Sequence, residues 1–424
     1  MSKTPATARF QRVTPLVLAA LLWCTSGLGQ VVQRFPTALP PGSIALGPDG
    51  AMWFTQSGRK IGRIDASGVG TELPIPAIAY AIALGSDGNL WMTTSGGIGR
   101  MTPAGAFTLF PVAGALNITS GPDGNLWFTK DPDPRIGRIT TSGVITEFSL
   151  PTSSRARYIT GGPDGNVWFT KPDDKIGRVT TSGVVTEFAT PTSHIWPFRI
   201  AAGPDGNVWF TESYPGVGRI TPTGAITEFP ISEAYALATG ADGNLWAAGF
   251  GTLKRITPGG STTTFSIPTE TPEFFASAPD MAAAPDGSIW IADYNNSQIV
   301  RFSLPEPTPC VADATTLCLN NGRFRVTADW QVRDGSNGQG RSVALSSNSG
   351  YFWFFEAANV ELVVKVLDGC SAGETFWFFA GGLTNVKVTT TVTDTHTGLS
   401  KTYTNPLGTT FAPIQDTSTF STCP

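Results

Sequence analysis

Residues 121–130 read GPDGNLWFTK, and near-copies follow as GPDGNVWFTK at 162–171 and GPDGNVWFTE at 203–212. The shared core, Asp-Gly-x-x-Trp, occurs seven times: Asp49–Trp53, Asp87–Trp91, Asp123–Trp127, Asp164–Trp168, Asp205–Trp209, Asp242–Trp246 and Asp286–Trp290. Successive tryptophans stand 38, 36, 41, 41, 37 and 44 residues apart. A period of about 40 residues matches one four-stranded blade of a β-propeller.

Each repeat divides into the parts of a blade. An apolar run such as RIAAG forms the first strand, and Asp-Gly-Asn makes a tight turn because Gly and Asn accept positive φ. LWFT or VWFT is the second strand and IGRI, IGRV or VGRI the third. A TSG, PTG or PAG turn leads to a fourth strand such as VITEF. Six fourth strands follow their own repeats, the last at 261–267, whereas QIVRF (298–302) runs straight into PEPTP. The spare strand stands at the other end of the repeats, as VVQRFPT (31–37). It is expected to complete the last blade and close the ring, which removes exposed sheet edges. The repeated Trp is expected between neighbouring sheets. Four of the third-strand arginines (Arg63, Arg138, Arg178, Arg219) are expected to pair across strands with Glu72, Glu147, Glu187 and Glu228.

Composition agrees with an all-β chain: 48 Gly, 33 Pro and only 14% charged residues among 424. The formal charge of −4 offers no basic footprint, which excludes a nucleic-acid partner. Lys3, Arg9 and Arg12 precede the apolar run at 13–23, and small residues follow it, so 1–29 reads as a signal peptide. Its removal shifts the charge to about −7 by the same count and leaves no membrane span. A secreted or periplasmic monomer is expected. Cys310, Cys318, Cys370 and Cys423 lie in the last 115 residues and read as two disulfides, with three pairings open.

The domain organisation expected is therefore a signal peptide at 1–29, a seven-bladed propeller at 30–304, a Pro-rich linker at 305–309 and a disulfide-containing β-sandwich at 310–424. Seven strand-like runs lie in that last segment, from GRFRVTADWQV (322–332) to SKTYT (400–404). YFWFF (351–355) and TFWFF (375–379) are apolar on both faces and expected as buried central strands, with an aromatic platform for polysaccharide as the alternative.

GPDGNLWFT followed by IGRIT, TSG and VITEF resembles the virginiamycin B lyase (streptogramin lyase) family over about residues 31–304. The resemblance implies a lyase that opens a cyclic depsipeptide by elimination at its ester. A histidine takes the Cα proton, and a magnesium ion held by glutamate steadies the enolate. That histidine lies seven residues before the Asp of the turn. Here those positions hold Gly42, Tyr80, Leu116, Arg157, Phe198, Tyr235 and Pro279, with Pro197-Phe198-Arg199-Ile200 nearest the family's motif. Candidate bases are then His194, one of only two histidines, and Tyr235. Glu212 and Glu233 match the family's acidic positions and are the candidate magnesium ligands.

First strands line a propeller's channel, so the residues at their starts ring its mouth. The ligand-binding candidates are Tyr80, Arg157, Tyr158, Phe198, Arg199, Tyr235 and Asp280, beside Asn117. Loops after the second strands are expected to add Lys130, Lys171, Glu212 and Asp293. Aromatics, arginines and carboxylates together suit a small-molecule, glycan or peptide ligand. Two functions follow: an exported binding protein, or a magnesium-dependent lyase with a relocated base.

Overall fold

The computed structural model describes residues 21–24, 30–212, 216–267, 280–304, 309–370, 375–396 and 400–420. Of the segment read as a leader, 1–20 and 25–29 lie outside these, and Leu21–Cys24 form a short strand. The described strands up to Ser303 form seven antiparallel sheets, one per repeat. The third, for example, runs Ala115–Ser120, Leu126–Lys130, Arg135–Ile139 and Ile145–Ser149 from its inner to its outer edge. Each first strand packs on the first strand of the next sheet, and Asp280–Ala283 of the seventh packs on Pro41–Leu46 of the first. The sheets are therefore blades around one ring.

Closure follows the expected route. Val31–Pro36 lies beside Gln298–Ser303 as the fourth strand of the seventh blade, and Leu21–Cys24 adds a fifth strand outside it. Phe35 stacks on Trp290 at 5.7 Å between ring centroids, and Arg301 donates to Gln33 Oε1 at 2.9 Å.

The repeated decapeptide is a packing unit. In six blades the Trp indole N–H donates to the turn Asp four residues earlier, at 2.9–3.1 Å. The glycine before each of these turns lies flat on the indole. A Cβ on Gly162 would come within 2.4 Å of Trp168. The seventh blade has Ala284 at that place, and Trp290 donates to Ser288 instead, at 2.9 Å. All seven indoles are buried. Trp127, for instance, joins Ile159, Val167 and Phe169 of the next blade in one core cluster, so the expected inter-blade packing holds.

The third-strand arginines correct the sequence reading. Arg138 pairs in register with Thr146, and Glu147 pairs with Gly137. The one-residue offset places Arg and Glu on opposite faces of the sheet. Arg138 instead lies over Trp127 and Phe148, each 5.6 Å away, and donates to Thr181 of the next blade. Phe148 stacks on Trp127 at 5.4 Å, so each such trio rivets a blade to its neighbour.

From Ser303 onward the chain forms a second compact unit. Two five-stranded sheets share one core. One contains Leu317–Leu319, Phe324–Gln331, Lys387–Asp394, Ser400–Asn405 and the short Asn337–Gln339. The other orders Arg341–Ser346, Ser349–Trp353, Leu362–Gly369, Thr375–Gly382 and Ile414–Phe420. Each of the seven runs read from sequence contains a strand; Leu317–Leu319, Asn337–Gln339 and Ile414–Phe420 were not anticipated. The aromatic runs alternate rather than bury both faces. Phe352, Phe354, Phe376 and Phe378 enter the core, while Tyr351, Trp353, Trp377 and Phe379 are half-buried on the other face. Cys310 bonds to Cys318, and Cys370 is also disulfide-bonded. Cys423 and most of the linker (305–308) lie outside the described residues.

Candidate functional site

A cavity of about 520 Å³ opens where the first strands begin. First-strand starts supply Tyr80, Asn117, Arg157, Tyr158 and Arg199, and the segment ahead of the fourth blade supplies Arg155. Asp131 and Tyr294 enter from loops after second strands.

Buried threonines set these side chains in place. In the third and fourth blades the Thr of WFT accepts a hydrogen bond from its own blade's first strand and donates to the next blade. Thr129 Oγ1 accepts from Asn117 N at 3.1 Å and donates to Arg157 O at 3.0 Å. Thr170 Oγ1 accepts from Tyr158 N at 3.2 Å and donates to Phe198 O at 2.8 Å. One hydroxyl thus fixes two adjacent mouth residues, which the sequence repeat alone could not reveal.

Above this frame the side chains interlock. Tyr158 and Phe198 meet edge to face at 4.6 Å. Arg199 lies 4.4 Å over the Tyr158 ring and donates to Asp280 Oδ1 at 3.0 Å. Asp280 Oδ2 also accepts from Ile44 N at 3.1 Å. Arg199 belongs to the fifth blade, Asp280 to the seventh and Ile44 to the first, so this network crosses the ring. Arg155 donates to Asp131 at 2.8 Å. The Arg157 guanidinium lies 4.9 Å from the Phe198 ring centre.

The profile of the virginiamycin B lyase family matches residues 28–115. A streptogramin B lyase structure is 31% identical, with a TM-score of 0.60 over 66% of this chain and 100% of its own. The virginiamycin B lyase of Staphylococcus aureus is 32% identical, with a TM-score of 0.60 over 65% of this chain and 99% of its own. The chain belongs to the virginiamycin B lyase family. A catalytically inactive His-to-Ala form of the Staphylococcus aureus enzyme, with quinupristin, is also similar, at 32% identity, a TM-score of 0.59, and the same 65% and 99% coverage. No curated protein sequence matches the chain.

Relative to that virginiamycin B lyase framework, the expected residues are dispersed. Tyr80, Arg157, Tyr158 and Arg199 line the cavity. Phe198 supports them through its ring, and Asp280 anchors Arg199. Tyr235 does not line the cavity; it packs on Phe250 at 4.9 Å. Burial, with the nearby Glu233 carboxylate, pushes its hydroxyl above the usual range, away from service as a base. His194 lies exposed in a loop whose backbone Asp174 holds, accepting from His194 N at 2.7 Å and Ile195 N at 3.1 Å.

The residues after WFT point into the blades, contrary to the expectation that they reach the mouth. Lys130, Lys171, Glu212 and Asp293 are all buried. Period-two alternation turns each toward its own sheet, and the following residue, Asp131 or Tyr294, reaches the cavity instead. Lys130 meets Glu147 at 2.5 Å and Lys171 meets Glu187 at 2.6 Å. The Lys130 ammonium draws Glu147 below its ordinary value. Glu212 takes this seat in the fifth blade and finds Glu228, a second carboxylate. Burial first, then Glu228, pushes Glu212 up to about 7, and its Oε1 has no hydrogen-bond partner among the described residues. Glu228 itself accepts from Thr192 Oγ1 at 2.6 Å.

Magnesium fits these residues poorly. Glu212 faces Glu228, whereas the Glu233 charge acts on Tyr235 and Lys254. Among the described residues no group of three His, Cys, Asp or Glu converges as a metal site. A hard cation wants six or more oxygens, more than the facing Glu212 and Glu228 carboxylates present.

Proposed function

We propose that this chain is an exported, ligand-binding member of the virginiamycin B lyase family whose mouth holds its ligand without elimination chemistry. One observation carries the reading. No histidine stands among the residues that line the mouth, and Phe198, seven residues before Asp205, is built into the contacts of Tyr158 and Arg157. A phenyl ring takes no proton, and the two candidate bases, His194 and Tyr235, do not line the cavity. The inactive His-to-Ala relative seen with quinupristin supports the idea that this fold holds a ligand after its histidine is lost. The N-terminal basic and apolar pattern and the disulfides at Cys310 and Cys370 support export.

The mouth supports a ligand with flat faces and polar edges, as sugars and peptides have. Tyr80 and Tyr294 are 47% and 49% exposed there. Polar neighbours (Asn117, Arg157) would fix orientation while the rings supply area. The test incubates the purified protein with a streptogramin B and magnesium and follows ring opening by mass. No turnover is expected. Turnover abolished by Glu212→Ala would establish the lyase reading and end this one.

A further inference from the structure

We propose that the mouth takes an acidic saccharide and seats its carboxylate on Arg157. The inference rests on the reading of the mouth as a ligand site.

The three cavity arginines differ in what they already hold. Arg155 is paired with Asp131 at 2.8 Å and Arg199 with Asp280 at 3.0 Å. Arg157 makes no ion pair among the described residues; its guanidinium is in contact with the Phe198 ring. The cavity wall therefore carries one uncompensated positive charge, in a chain whose formal charge is −4. Such a local reversal of sign favours an anionic ligand.

The backbone of Arg157 is fixed on both sides. Its N–H donates to Thr170 O at 2.9 Å, and its carbonyl accepts from Thr129 at 3.0 Å. With one face of the guanidinium against a ring, its edge N–H donors remain for a planar acceptor. That geometry matches a carboxylate, and a pre-oriented fork loses little freedom on binding. No lysine lines the cavity, so a single fork complements one negative charge better than the multiple charge of a phosphate.

A sugar fits the remainder better than a peptide side chain. The aliphatic lining comes from Pro41, Ala81, Leu116 and Ala292. The exposed area comes from tyrosine rings, whose faces stack on pyranose C–H groups and whose hydroxyls reach ring oxygens.

Isothermal titration of the whole protein with an oligogalacturonide and with its fully methyl-esterified form tests this. The acid form is expected to bind about 10- to 100-fold more tightly than the ester, the range of a charged hydrogen bond, with the gap closing as salt rises. Arg157→Gln should bring the affinities for acid and ester together, and Arg157→Lys should keep part of the preference. Should Arg157→Gln not fold, the comparison of acid and ester on the unaltered protein still decides. Equal affinity for acid and ester overturns the carboxylate seat and leaves the mouth reading standing. Preference for a short peptide acid over its amide, with no saccharide bound, overturns the saccharide. Binding of no probe overturns the inference together with the reading beneath it.

Discussion

Replacing Glu212 with Gln should stabilise the propeller at alkaline pH and do nothing at acid pH. In the third and fourth blades this seat holds a lysine that pairs with a fourth-strand glutamate. Glu212 sets a carboxylate there instead, only 7% exposed, against Glu228. Its folded value of about 7 lies above the ordinary 4.5. A raised carboxyl favours the native state when protonated, so this stability is present below about pH 4.5 and is lost as pH rises through about 7. At roughly 1.4 kcal/mol per unit, ionised Glu212 costs the fold about 3 kcal/mol above neutrality. Gln keeps the shape and removes the charge, and its amide can donate to Glu228. Relaxation will reduce the gain, so a value of about 1–3 kcal/mol at pH 8.5 is expected, falling to near zero at pH 4.5. The assay is urea unfolding followed by tryptophan fluorescence, which reports the seven buried indoles of the ring. A Gln variant that is less stable than the parent at pH 8.5, or that shifts equally at both pH values, refutes the reasoning. The first result would mean that something holds the ionised carboxylate, and added magnesium should then raise the parent's stability alone.

Four other substitutions probe the frame. Thr170→Val leaves Tyr158 N and Phe198 O without their shared hydroxyl. It should cost about 1–3 kcal/mol in denaturant unfolding and speed hydrogen exchange at Tyr158. Phe35→Ala removes a fully buried ring stacked on Trp290. A loss of about 3–5 kcal/mol is expected, with exchange rising first in the seventh blade, where the ring closes. Gly162→Ala places a methyl 2.4 Å from Trp168. Overpacking should cost about 1–3 kcal/mol in thermal unfolding, whereas Ala284→Gly in the seventh blade should not stabilise by overpacking relief, since Trp290 there already bonds to Ser288.

The blades were legible because their decisive interactions are local. The bond from Trp127 to Asp123 spans four residues, so the motif that forms it is visible in a short window. Closure was legible from one strand missing at Gln298–Ser303 and one spare at Val31–Pro36. Pairings between faces were not. Assigning Arg138 to Glu147 failed because they lie one register step apart, and one step in a strand is the whole difference between two faces. The same alternation hid the destination of Lys130 and Lys171. At the mouth, Tyr80, Arg157, Tyr158 and Arg199 could be named from their place at first-strand starts. Asp131 and Tyr294 were missed by a single residue. The Arg199–Asp280 pair joins residues 81 apart, and only the curvature of a closed ring brings them together.

The fifth blade shows why a departure from the repeat is ambiguous until its face is known. Phe198 and Glu212 both belong to this blade, and Glu212 replaces the lysine that the third and fourth blades hold at its seat. Phe198 begins a first strand and supports the mouth, where its ring has work to do beneath Arg157. Glu212 ends a second strand and turns into the sheet, where a lysine would have found Glu228. The phenyl ring is consistent with its surroundings, and the carboxylate is not. Glu212 costs stability in its own blade, whereas Phe198 fits the contacts around it, which is why we place the proposed function at the mouth surface and not at the buried acid.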